Sequence, residues 1–108
     1  MMFMNLDTDL LRSFLAIVDT GNFTRAAERV GRTQSAVSMQ MKRLEETLGK
    51  PLLLRDKRKV RLTPDGETLV GFAQRMIDLN DAALSRLTEP ELTGQVRLGI
   101  PDDYVARF

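Results

Sequence analysis

Apolar residues recur along the first half of the chain at the spacing of helices that bury one face. From about Asp7 to Thr20 the positions Leu10, Leu11, Phe14, Leu15, Ile17 and Val18 follow a helical period. Gly21 predicts the stop, because glycine takes the left-handed backbone that ends helices at little cost. A shorter helix follows, capped by Asn22 or Thr24, since either side chain can accept a bond from a free first-turn amide. Ala26, Ala27 and Val30 form its inner face, the paired alanines admit close approach of another helix, and Gly31 ends it. The third helix is predicted to start at the cap Thr33 and to run to about Leu48, before Gly49. Its Val37, Met41, Leu44 and Leu48 are spaced 4, 3 and 4, one face of a helix roughly 24 Å long. Gln34, Ser35, Ser38, Met39 and Lys42 lie on another face, near its start.

After Pro51 the period changes. Leu52 and Leu54, then Val60 and Leu62, alternate with period two around Asp56-Lys57-Arg58-Lys59, which predicts a short β-hairpin with a basic tip. Thr63-Pro64 is a helix start, a capping hydroxyl followed by proline at the first helical position. That helix is predicted to reach about Leu87, roughly 36 Å, weakened slightly by Gly66 and Gly71. Leu69, Phe72, Ala73, Met76, Asn80, Ala83, Leu84 and Leu87 form its apolar stripe, and so long a striped helix usually needs a partner helix. Glu89-Pro90 breaks the pattern, Thr93-Gly94 signals a turn, and Gln95 to Ile100 read as a strand with nothing left in the chain to pair with. The expected fold class is mainly α, three helices and a short hairpin followed by a long helix.

Composition narrows the chemistry. The 108 residues suit one small domain with an appendage. Cysteine and histidine are both absent, which removes thiol nucleophiles, zinc-thiolate sites and the commonest general base, so an enzyme is a poor reading and no metal or cofactor is expected. No stretch approaches the roughly 18 apolar residues of a membrane span, and no basic-then-apolar leader opens the chain. The net charge of +1 hides an asymmetry. Residues 1–63 carry 12 basic against 7 acidic side chains, whereas 64–108 carry 4 against 8. Five bases fall within the seven residues Arg55 to Arg61. Such a contrast points to one half that meets a polyanion, although a charge run also suits a solvated face.

Two amphipathic helices joined tightly across Gly31 and Arg32 have the layout of a helix-turn-helix, whose second helix lies in the DNA major groove. Small polar residues at the start of that helix permit close approach. Gln34 can bond bidentately to adenine, and Ser38 can meet a base edge or a phosphate. Thr24, Arg25, Thr33 and Lys42 can grip phosphates on either side. Arg58, at the hairpin tip, is placed to enter the minor groove, whose negative potential attracts arginine. Taken singly, these residues have plainer roles. Gln34 and Ser35 suit a first-turn surface, Ser38 a neutral solvent position, and Met39 surface or peripheral core. Lys57, Arg58 and Lys59 suit a soluble hairpin edge. The ordered conjunction of helix-turn-helix, basic wing and striped helix favours DNA binding.

Asn22-Phe23-Thr24-Arg25-Ala26-Ala27-Glu28-Arg29-Val30, Thr33-Gln34-Ser35-Ala36-Val37-Ser38, Lys42-Arg43-Leu44-Glu45, Leu48-Gly49, Arg55 and Leu62-Thr63-Pro64 resemble the N-terminal domain of LysR-type transcriptional regulators, over about residues 5–88. The resemblance implies a bacterial, cytoplasmic and nucleoid-associated regulator. It implies a DNA-binding domain over 1–63, a linker and dimerisation helix over 64–88, and in 89–108 a hinge with the first strand of an effector-binding domain. It further implies a homodimer with linker helices packed antiparallel (a tetramer in the full-length protein) on operator DNA, with a small-molecule effector held only by the C-terminal domain. Gln34, Ser35, Ser38 and Met39 fall where family members touch bases or nearby phosphates. Thr24, Arg25, Thr33, Lys42, Arg55, Lys57 and Arg58 fall among the phosphate and wing positions. The dimer contacts would be Leu69, Phe72, Ala73, Met76, Asn80, Ala83 and Leu87. Two positions depart from the family pattern: many members carry proline at Ser35 and arginine at Met39. Methionine donates no hydrogen bond, so a site less dependent on guanine is expected there.

Two other readings are a helical dimerisation module whose basic hairpin meets an acidic protein, and a winged-helix DNA binder of another family without paired linker helices. The roles separate by mutation. Gln34→Ala is expected to cost roughly 1–3 kcal/mol at its preferred base and to relax the preference there, whereas Arg58→Ala weakens binding across sequences and lowers the salt slope by up to about 1. Equal losses for both variants on cognate and random DNA would remove Gln34 from base readout.

Overall fold

The computed structural model describes residues 4–56 and 59–88. Its elements run α1 (Thr8–Thr20), α2 (Phe23–Val30), α3 (Gln34–Leu48), β1 (Leu53–Arg55), β2 (Val60–Leu62) and α4 (Pro64–Thr88). The strand predicted at Gln95 to Ile100 and the basic tip predicted at Lys57 and Arg58 fall outside the described residues.

Each helix start has a side-chain acceptor for a free amide. Asp7 accepts from the Asp9 amide at 2.8 Å, Asn22 from Arg25 at 2.8 Å, Thr33 from Ala36 at 3.0 Å and Thr63 from Gly66 at 2.9 Å. Of the two candidate caps of α2, the structure uses Asn22. The turn between α2 and α3 depends on Gly31, at φ 72°. There the Gly31 amide donates to the Glu28 carbonyl at 3.2 Å and the Arg32 amide to that of Ala27 at 2.9 Å. This pairing satisfies the last carbonyls of α2 and needs a left-handed residue that a side chain would strain.

The chain forms two compact units, Met1–Ile77 and Asp78–Phe108. The core of the first gathers Leu11, Phe14 and Ile17 from α1, Phe23, Ala26 and Ala27 from α2, and Val37, Met41 and Leu44 from α3. Leu52 and the α4 residues Leu69, Ala73 and Ile77 complete it. Leu69 and Ala73 thus depart from the expectation that they face a partner helix: they are buried within their own chain. The period of α4 says which residues share a face, and in its first turns that face is already covered by the core. In the described part of the second unit, Leu79 and Leu87 are exposed, and the Thr88 hydroxyl donates to the Leu84 carbonyl at 2.6 Å.

β1 and β2 pair antiparallel, with Leu53 opposite Leu62, Leu54 opposite Arg61 and Arg55 opposite Val60. The Asp56 amide donates to the Lys59 carbonyl at 2.9 Å, closing the hairpin. Opposed residues share a face. Leu53, Val60 and Leu62 pack half-buried against the core, while Leu54 stands outward with Arg61. The predicted alternation of Leu52 with Leu54 is therefore out of phase. Leu52 precedes the strand and is held by other groups. The Glu45 carboxylate accepts from the amides of Leu52 at 2.8 Å and Leu53 at 3.2 Å. The Leu52 carbonyl accepts from the Thr63 amide at 3.0 Å, and the Thr63 hydroxyl donates to the Pro51 carbonyl at 2.8 Å.

Gly66 meets this knot at close range. A Cβ there would lie 2.2 Å from the Leu52 carbonyl oxygen and 2.9 Å from Leu62 Cδ2, whereas one at Gly71 would meet only the end of Arg75, at 3.8 Å. Gly66→Ala must displace backbone and should lose about 1–3 kcal/mol. Gly71→Ala should gain about 0.5–1 kcal/mol through helix propensity. Urea midpoints would show opposite shifts, and a shared direction would contradict the contact. Glu45→Ala should lose roughly 1.5–3 kcal/mol, the worth of amides bonded to a carboxylate, with Glu45→Gln recovering part of it. Denaturation with unchanged midpoints would show that the two amides find water instead.

Candidate nucleic-acid interface

The helix-turn-helix positions α3 by burying one of its faces. Val37 and Leu44 are fully enclosed and Met41 nearly so, which leaves the opposite side of the helix to solvent. There Gln34, Ser35, Met39 and Lys42 are exposed and Ser38 half-buried, and the five side chains line one open hollow. Sequence spacing grouped these residues, and the structure brings them together. Met39 is surface rather than peripheral core, 54% exposed. An exposed thioether in a row of hydroxyls and an amide offers an apolar contact beside hydrogen-bonding groups, a mixture that suits base edges, where thymine presents a methyl.

Thr33 is exposed, but its hydroxyl oxygen is already the acceptor for the Ala36 amide, so toward a ligand it serves as a donor. At the start of α2, Thr24 and Arg25 are exposed. Arg25 lines a second hollow with Asn22 from the preceding turn and Lys59 and Arg61 from the hairpin. Lys59 and Arg61 belong to the predicted basic run but were not assigned a site of their own. Strand pairing is the signal that places Arg61 outward, opposite Leu54. Arg61 Nε lies 3.9 Å from Asp56 Oδ2, with both side chains more than half exposed, so the pair is weak and solvent-screened.

Arg55 has a different setting. Its guanidinium carbon lies 4.3 Å from the centre of the Phe23 ring, over a side chain that is itself buried. Cation–π contact of this kind contributes about 0.5–1 kcal/mol at exposed sites and ties the hairpin to the start of α2. Two other surface cations are paired with α1: Arg29 of α2 with Asp19, and Arg32 of the following turn with Asp9 at 3.7 Å. Among the described residues there is no cluster of acidic, histidine or cysteine side chains fit to hold a metal, and no helix is long and apolar enough to cross a membrane. Along α4, Phe72 and Met76 are uncovered in the first unit, with the Arg75 guanidinium 4.9 Å from the Phe72 ring centre. In the second unit Asn80 is half-buried and donates to Asp81 at 3.2 Å, while Ala83 and Leu87 are exposed.

This geometry recurs in known proteins. The chain is 50% identical over 104 residues to the HTH-type transcriptional regulator DgdR of Burkholderia cepacia, covering 96% of this chain and 35% of that protein. It is 44% identical over 100 residues to the HTH-type transcriptional regulator PecT of Dickeya dadantii, covering 93% and 32%. The chain thus spans about a third of the length of these curated relatives. Among solved structures, the BenM DBD/catB site 1 DNA complex is 33% identical with a TM-score of 0.74, over 83% of this chain and all of that one. Vibrio fischeri DarR in complex with DNA is 30% identical with a TM-score of 0.76, over 85% of this chain and 32% of that one. Residues 8–67 match the bacterial regulatory helix-turn-helix protein, lysR family, and the chain belongs to that family as a winged helix-turn-helix followed by a long helix.

Proposed function

We propose that this chain is the sequence-reading, DNA-binding part of a bacterial LysR-type transcription regulator, acting by binding rather than catalysis and without a cofactor. The observation that carries this reading is the exposed face of α3, where Gln34, Ser35, Ser38, Met39 and Lys42 share one hollow while the opposite face is buried. Related domains have been solved on DNA, which supports it. α3 lies in the major groove, with Gln34, Ser35, Ser38 and Met39 at base edges or nearby phosphates. Thr24, Arg25, Thr33 and Lys42 hold the phosphate backbone, and the hairpin meets the minor groove, the role we assign to Lys57 and Arg58 from the sequence. Arg55 serves this surface from its place over Phe23, and Arg61 joins Arg25 there.

The functional division is 1–63 for DNA, 64–88 for pairing with a second copy, and 89–108 as a hinge into an effector-binding domain. The pairing contacts are Phe72 and Met76 in the first unit and Asn80, Ala83 and Leu87 in the second, without Leu69 and Ala73, which the core occupies. In the full-length protein the dimers assemble as tetramers, the C-terminal domain binds a small effector, and the whole works on operator DNA in the cytoplasm.

Selection of this chain on a random duplex library at about physiological salt, followed by sequencing, tests the reading. The expected product is an inverted repeat, bound with a log–log salt slope of about 0.9 per phosphate neutralised. A thymine is expected opposite Met39, shifting to guanine in Met39→Arg. Recovery of no motif would reduce the surface to phosphate attraction, and no duplex binding at all would favour a protein partner. Phe72→Glu with Met76→Glu should halve the mass seen by sedimentation, and an unchanged mass would place pairing elsewhere.

A further inference from the structure

Ser13 puts a hydroxyl where the pattern of α1 calls for a hydrocarbon. It lies among Leu11, Phe14 and Ile17 on the inner side of α1 and is 1% exposed. Its Oγ donates to Oε1 of Gln40 on α3 at 2.5 Å. This bond crosses from the scaffold to the helix that carries the proposed DNA-reading face, 27 residues away in sequence.

The position of Gln40 gives the bond its leverage. At about 100° per residue, the buried stripe of α3 (Val37, Met41 and Leu44) is flanked by Gln34 on one side and by Gln40 on the other. The reading face borders the stripe at Gln34, so Gln40 grips the helix from the far side. Apolar burial holds α3 against α1 but is non-directional. A hydrogen bond has a preferred length and angle, and so resists rotation of the helix about its own axis.

We propose that Ser13 and Gln40 are positioning residues that set the roll of α3, and with it the register of its side chains against base edges. The proposal rests on the DNA-reading function argued above. A roll of about 10° moves groups on a helix of about 5–6 Å radius by roughly 1 Å. Base-edge hydrogen bonds do not survive such a shift, because they weaken steeply with length and angle. Attraction between basic side chains and phosphates does survive, because it extends over a screening length of about 8 Å at physiological ionic strength. Loss of the Ser13–Gln40 bond should therefore reduce discrimination between sequences and spare non-specific affinity.

The test compares Ser13→Ala, Gln40→Met and the double variant with the unaltered 108-residue chain. Equilibrium binding is measured at one salt concentration on a duplex selected from the random library and on a random-sequence duplex, below the melting temperature of every variant. The expected result is a fall of about three- to tenfold in the ratio of the two affinities for each single variant. The double variant should fall no further, and binding to random duplex should be unchanged. Gln40→Met, at the border of the stripe, decides the matter alone if Ser13→Ala does not fold. Unchanged ratios, equal losses on both duplexes, or a double variant that falls by the product of the singles would overturn the proposal. A wild-type chain with no preference between the duplexes would instead overturn the DNA-reading function, and that is seen before any variant is compared.

Discussion

The burial of Val37, Met41 and Leu44 from α3 with Leu11, Phe14 and Ile17 from α1 is the contact on which the rest of the structure depends. Side chains of this kind contribute about 1.5–3 kcal/mol each when fully buried. A helix with so polar an outer face has little other reason to stay in place. The same burial turns Gln34, Ser35, Ser38, Met39 and Lys42 outward as a set. The left-handed turn at Gly31 delivers α3 to this contact at the required angle, and α2 closes over its side through Phe23, Ala26 and Ala27.

The hairpin is held by polar contacts as well as by the packing of Leu53, Val60 and Leu62 against the core. Glu45 takes two of its amides from the end of α3, Thr63 bonds to Pro51 and Leu52 from the start of α4, and Arg55 lies over Phe23 of α2. Three helices thus fix three places on a hairpin whose strands are only three residues each. Two strands of that length have no independent stability in water. A wing held in this way keeps a constant relation to α3, as the proposed contact of both with one duplex requires.

Much of this was legible in the residues. Thr33 and Thr63 marked the starts of α3 and α4, and Gly21, Gly31 and Gly49 the ends of α1, α2 and α3, because a cap is a local interaction that needs only the right side chain at the right place. That Gln34, Ser35, Ser38, Met39 and Lys42 share the outer face of α3 was legible for a similar reason, since one helical period sorts both of its faces. The phase of the hairpin was not. Leu52, Leu53 and Leu54 are chemically alike, and the choice between them is made by Glu45 and Thr63, distant in sequence. Leu69 and Ala73 were misplaced because periodicity reveals a face without revealing what covers it. Ser13 carried a signal, a hydroxyl inside an apolar stripe, but its partner on α3 becomes visible only when the helices are packed.

Amide chemical-shift mapping during titration with a selected duplex tests whether α3 meets DNA, because it reports which backbone meets the duplex without altering a residue. The largest shifts are expected from Thr33 to Lys42 and around Arg25 and the hairpin, with residues 78–88 little changed. Shifts concentrated in 78–88, or spread evenly with none larger along α3, would contradict that contact.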